Sequence, residues 1–262
     1  MYFIVALVIL VWSYQTEAQN TQENALKPPG MVLEPLKYVS NQNEPVEVNA
    51  TLCVINTSNE GPQWFLLSSD VLGMNERLGS FSAALMLITE IKASADGKYL
   101  AVLSVGEGHP MLEVIDLSKL FQKKSYTVLH TIDPYPGFVN IRSWEGTQLQ
   151  IDSDVLLTRR DKKTGRVPPE LTLSASEIFV LNVLTGEISG VSEGAKNPSE
   201  HYSRVLMDQK ASETEKDAAL SILLTLNPDE KTISYLLNVL EQEKDPKRIL
   251  KLLDEISKLR GK

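Results

Sequence analysis

Apolar and polar positions alternate from Val46 to Ile55. Val46, Val48, Ala50, Leu52 and Val54 interleave with Glu47, Asn49, Thr51, Cys53 and Ile55. A period of two sends successive side chains to opposite faces, so the stretch predicts a strand with one face buried. Cys53 falls on the more polar face of that strand. Asn56–Pro62 clusters turn formers, and Trp64–Leu67 reads as the returning strand. Gly73–Ser82 reads as a looser connection, after which the strand pattern resumes over Leu85–Lys92.

The sharpest local signal follows. A strand arrives at Ile91, turns at Asp96-Gly97 and leaves as Tyr99–Val105. Glycine takes the positive φ that a tight turn requires, and aspartate bonds to its own backbone there. The flanking residues are β-branched or aromatic, as a half-buried pleated surface favours. Gly106-Glu-Gly-His-Pro110 then separates this strand from Leu112–Leu117. Its Gly-x-Gly has no third glycine, following helix or lysine, so it is not a phosphate loop.

About 50 residues on, the unit returns. Ile141-Arg-Ser-Trp-Glu-Gly146 and Leu149-Gln-Ile151 repeat Ile91…Gly97 and Leu100-Ala-Val102. Glu177–Val183 then echoes Leu112–Leu117, and Thr185-Gly186 supplies another turn. Periods of about 40 to 50 residues with four strands each indicate propeller blades. The pattern Ser94-x-Asp96-Gly97-Lys98-Tyr99-Leu100-Ala-Val102, followed by Val114-Ile-Asp116-Leu117, resembles blades of WD40-like and TolB-like propellers over about residues 85–190. Residues 31–195 have room for three or four such units. The resemblance thus implies an antiparallel β-domain: a small or partial propeller, or a sandwich of similar hairpins.

Periodicity changes near the C-terminus. Gly186–Glu200 is rich in Gly, Ser and Pro, and residues 196–211 read as a linker. From Ser212 the apolar spacing is helical. Ser212-Glu-Thr-Glu215 is a capping box, and Asn227-Pro228 and Asp245-Pro246 are further helix starts. Ile233, Leu236, Leu237 and Leu240 share one face, as do Ile249, Leu252, Leu253 and Ile256. This leucine register with its Asp-Pro start resembles HEAT-like repeats, which implies a three-helix packing unit over 212–262. The fold class expected is α+β in two segments, an antiparallel β-domain followed by helices.

Composition narrows the role. The 262-residue chain carries a net charge of −8, and phosphate backbones are bound by clustered Lys and Arg, so nucleic acid is not the expected partner. The apolar run Tyr2–Trp12 has the length of a secretory h-region, with small residues before a cleavage point between Ala18 and Gln19. It is shorter than the roughly 20 residues a transmembrane helix needs, although an uncleaved anchor is the alternative. Removal of 1–18 leaves a polar leader at 19–30 and no membrane span in the mature chain. One cysteine, Cys53, permits no internal disulfide. Export with so little cysteine points to a bacterial periplasm or cell surface. The sequons Asn49-Ala-Thr51 and Asn56-Thr-Ser58 keep secretion by a eukaryote open.

Chemistry is sparse. His109, His130 and His201 are far apart and form no metal spacing, and no nucleophile elbow or cofactor fingerprint occurs. The expectation is no catalytic, metal or cofactor site. One basic cluster stands out, Arg159, Arg160, Lys162, Lys163 and Arg166, ending in Pro168-Pro169. It reads as a solvated hairpin tip turned by Gly165, or as a contact for an anionic envelope component or acidic protein surface. The functional expectation is an exported, non-catalytic protein-interaction or assembly factor of the cell envelope. The alternative is a secreted hydrolase or ligand-binding enzyme with its site on the β-domain loops.

Overall fold

The computed structural model describes residues 30–39, 47–57, 61–68, 75–208, 210–226, 230–243 and 245–260. The expected signal segment with its Ala18–Gln19 junction, and the leader as far as Pro29, lie outside them.

Twelve strands among the described residues form three sheets of four. The first holds β1 Met31–Val39, β2 Glu47–Ile55, β3 Gln63–Ser68 and β4 Asn75–Ser80. The second holds β5 Leu87–Ala93, β6 Tyr99–Gly106, β7 His109–Asp116 and β8 Val128–Ile132, with the short helix α1 Leu117–Lys123 before β8. The third holds β9 Val139–Glu145, β10 Gln148–Val155, β11 Thr172–Asn182 and β12 Ile188–Gly190. Each sheet is an antiparallel meander with neighbours in chain order, and none closes on itself. These are blade-like units, three of them among the described residues.

The Asp96-Gly97 turn forms where the sequence placed it. Gly97 has φ +65°, Gly97 N–H donates to the Ser94 carbonyl at 2.9 Å, and Ser94 N–H donates to the Tyr99 carbonyl at 2.9 Å. Its counterpart at Gly146 also has positive φ, +59°.

Adjacent sheets meet through their first strands. Ala93 N–H donates to Glu34 Oε1 at 2.8 Å. The Asn56 amide donates to the Ile88 carbonyl at 2.8 Å and accepts from Ile88 N–H at 3.0 Å, while Asn56 N–H donates to the Gly30 carbonyl. Gly30 thus lies near the start of β5 and Glu34 near its end, so β1 and β5 run the same way. Between these two sheets lies one core, in which Leu52, Trp64, Leu100, Ile115 and Leu120 are fully buried. Leu117 and Leu120 bring α1 into it, and Asp116 caps that helix by accepting from Lys119 N–H at 3.1 Å.

Two expectations are corrected. Gly73–Ser82 is not only a connection, because β4 is an edge strand within it. Cys53 is not on a polar face. It is 3% exposed and clusters with Met31 and Leu67. Alternation correctly gave two faces, but Cys53 sits in a local apolar cluster, with Thr51 and Arg77 elsewhere on the same face.

Five helices follow β12 among the described residues: α2 Glu193–Lys196, α3 Pro198–Met207, α4 Glu213–Thr225, α5 Glu230–Gln242 and α6 Pro246–Arg260. The segment read as linker is therefore helical in part. Pro198 begins α3 at a position where its missing N–H costs no hydrogen bond. Tyr202 and Leu206 of α3 are buried in one core with Phe179 and Leu181 of β11, and this core runs on to Leu220, Leu223, Leu236 and Leu252. Each such side chain contributes roughly 1.5–3 kcal/mol on burial. Strands and helices share apolar contacts across the expected boundary. The capping box is present: Ser212 Oγ accepts from Glu215 N–H at 3.2 Å, and Glu215 accepts from Ser212 N–H at 2.6 Å. The Asn227-Pro228 start lies outside the described residues. On α6, Leu252 and Ile256 are buried, but Leu253 is 43% exposed and does not belong to the inward face.

Candidate functional site

The basic cluster lies on the long connection from β10 to β11. Asp161 organises its tip: its carboxylate accepts from Lys163 N–H at 2.9 Å, Thr164 N–H at 2.7 Å and the Thr164 hydroxyl at 2.9 Å. The Thr164 amide and hydroxyl, with Lys163, hold this carboxyl below its ordinary value. Gly165 has φ +79°, and a Cβ there would meet the Thr131 carbonyl oxygen at 2.6 Å. The connection therefore presses on β8 instead of projecting as a hairpin tip.

This packing divides the five cations. Arg160 is 9% exposed and donates to the Thr131 carbonyl at 3.3 Å and the Gly186 carbonyl at 2.8 Å. It ties the second sheet to the third and is turned away from any anionic surface. Burial lowers its guanidinium pKa, with Glu187 and Asp161 opposing. Lys162 pairs with Glu187, and Arg166 pairs with Asp133 at 3.1 Å. Arg159 and Lys163 are exposed with no ion pair among the described residues. The sequence could not separate these roles, because charge and spacing are alike while the acceptors come from β8 and the β11–β12 turn.

A second surface was not foreseen. Between β4 and β5, Ala84 N–H donates to Glu113 Oε2 at 2.8 Å and Leu85 N–H to Ser104 Oγ at 3.2 Å. Glu113 is buried and also accepts from the Tyr126 hydroxyl at 2.8 Å, and burial together with this carboxylate pushes the Tyr126 phenol up. The fixed backbone then displays Met86, 89% exposed, and Leu87, 45% exposed. Leu87 pairs with Val105, which pairs with Pro110. One residue along β7, on the opposite face of the sheet, His109 meets Tyr135 edge-on at 4.9 Å, and Tyr135 is 54% exposed. One end of the second sheet therefore carries exposed Met86 and Leu87 on an anchored backbone, and the exposed Tyr135 ring follows β8. The only sequence signal for it is the apolar triplet Leu85-Met86-Leu87 before a strand.

An open hollow of about 620 Å³ lies where β1 and β2 meet the β5–β6 turn, lined by Leu36, Lys37, Asn49, Thr51 and Ser94 among others. The Ser94 hydroxyl donates to Asp96 Oδ1 at 2.7 Å and accepts from Tyr99 N–H at 3.0 Å, so the turn already uses it. The histidines stay apart. His130 Nε2 lies 2.6 Å from the Val183 carbonyl, His109 packs on Tyr135, and His201 packs on Tyr202. Among the described residues no three His, Cys, Asp or Glu side chains are placed to hold a metal ion. Among them, too, no helix is long and apolar enough to cross a membrane.

No family model matches the chain, and no curated protein matches it. Among solved structures, TolB from Acinetobacter baumannii is similar at a TM-score of 0.35 and 12% identity, over 70% of this chain and 46% of that one. The chain thus spans less than half of that protein. The blade-like organisation described above rests on strand order and register, independently of this likeness.

Proposed function

We propose that the protein is an exported, non-catalytic interaction or assembly factor of the cell envelope, and that the strip at Met86, Leu87 and Tyr135 is its contact with a protein partner. The strip carries the reading. Apolar side chains displayed together on a backbone fixed by Glu113 and Ser104 match the anchors that dominate protein interfaces. Arg159 and Lys163 form a separate outward pair, available to an anionic envelope component. The alternative of a hydrolase or ligand-binding enzyme draws on the hollow beside Ser94, whose volume is in the range of small-molecule sites.

The test places a photo-crosslinking residue at Met86 in the native host. A single discrete adduct is expected, lost when Tyr135 and Leu87 are changed to serine and retained when Leu250, exposed on α6, is changed to serine. No adduct, or an adduct indifferent to Tyr135 and Leu87, overturns the reading.

A further inference from the structure

Met86 is held out in solvent by the residues around it. Among the described residues no large apolar side chain is more exposed, at 89%. Its backbone is gripped on both sides. Before it, Ala84 N–H donates to Glu113 Oε2 on β7, and Leu85 N–H donates to Ser104 Oγ on β6. After it, Ile88 N–H donates to Asn56 Oδ1 at 3.0 Å, and the Asn56 amide donates to the Ile88 carbonyl at 2.8 Å. Leu85 lies over Gly106, where a Cβ would sit 3.4 Å from the Leu85 Cβ, and Ile88 is 1% exposed. The segment thus turns Leu85 and Ile88 toward the protein and leaves Met86 facing water. A loose loop could fold its thioether back onto apolar surface, but here those hydrogen bonds would have to break first.

The other described methionines differ. Met31 is 6% exposed, and Met111 and Met207 are half-buried. Oxidation of a thioether follows the access of oxidant to sulfur. We infer that Met86 is a reversible oxidation site whose sulfoxide turns off the partner contact. The switching half of this inference rests on the contact proposed above, and the oxidation site does not.

A peroxide is the oxidant. A sulfur lone pair attacks one peroxide oxygen, the O–O bond breaks, and the other oxygen leaves as hydroxide, which takes the remaining proton to become water. Sulfur loses two electrons and the peroxide gains them. A dithiol reverses the change, becoming a disulfide while the sulfoxide oxygen departs as water. The sulfoxide puts a strong hydrogen-bond acceptor where an apolar side chain stood, and burying it against a partner without a donor is unfavourable. Oxidation therefore acts on the free chain and keeps it free.

Dilute hydrogen peroxide on the purified full chain, followed by peptide mass spectrometry, tests the site. Met86 should convert about tenfold or more faster than Met31, with an unchanged circular dichroism spectrum. A Met86 that reacts no faster than Met31 overturns the inference. For the switch, a chain carrying a photo-crosslinker at Leu87 is oxidised, freed of peroxide and irradiated in a native envelope extract. The adduct should fall about tenfold and return after treatment with methionine sulfoxide reductase and a dithiol. With Met86→Leu added, the adduct should not respond to peroxide. An adduct that persists on the Met86 sulfoxide, or a loss shared by Met86→Leu, overturns the switch. No adduct from the unoxidised chain overturns the partner reading and the switch together, while the mass measurement still decides the oxidation site.

Discussion

The indole N–H of Trp144 donates to the Lys92 carbonyl at 2.8 Å, and the Lys92 ammonium donates to the Arg142 carbonyl at 2.6 Å. Two successive repeats are thus clasped at nearly corresponding positions. Because both carbonyls belong to first strands, the clasp holds β9 beside β5. Tyr99 stacks on the same indole at 6.3 Å between centroids.

Trp144→Phe removes the donor and keeps most of the ring. The expected loss is about 1 kcal/mol, the worth of one ordinary hydrogen bond. Urea unfolding followed by circular dichroism measures it. A midpoint equal to the parent protein's would show that the clasp carries no stability.

The basic cluster should split into two behaviours. Arg160→Ala leaves the Thr131 and Gly186 carbonyls without their charged donor, and about 2–3 kcal/mol of stability should go. Arg159→Glu with Lys163→Glu should change stability by less than about 0.5 kcal/mol, because both side chains are exposed. The double reversal should instead weaken binding to vesicles of anionic lipid and flatten its salt dependence. Equal stability effects from the two variants would contradict the division.

Tyr202 links the helices to the third sheet. At 1% exposure its replacement by alanine should cost about 3 kcal/mol or more. If strands and helices unfold as one, a single transition moves to lower denaturant. A helical transition that shifts alone, with the strand signal unmoved, would restore the linker between residues 196 and 211 as a domain boundary.

Asp161 gives the basic connection a pH dependence. Its folded pKa lies below the ordinary 3.8, so its ordering effect is fully present above 3.8 and is lost as pH falls through the folded value. The amide protons of Lys163 and Thr164 should therefore exchange slowly at neutral pH and lose protection in acid below 3.8. Asp161→Asn should weaken that protection at neutral pH. Protection unchanged through acid pH would exclude the carboxylate as the organiser.

The sequence exposed what is local. Gly97 and Gly146 mark hairpins because a turn depends on a few adjacent residues, and Ser212 with Glu215 marks a helix start for the same reason. It hid what depends on neighbours brought from afar. Cys53 looked polar-facing because alternation says which residues share a face but not what covers that face. Asn197-Pro198 read as linker although Pro198 suits a first helical turn, because only Phe179 and Leu181 make a helix worth ordering there. Asn75–Ser80 has no apolar alternation, as an edge strand needs little. Arg160 and Arg159 are adjacent and chemically identical, and only the positions of the Thr131 and Gly186 carbonyls assign them different work.

The helices over the third sheet also act as a stop to lengthening at that end. A further four-stranded unit engineered after Gly190 would have to evict Tyr202 and Leu206 before it could settle. The side chains that close the core are thus also the ones that cap the array of sheets there.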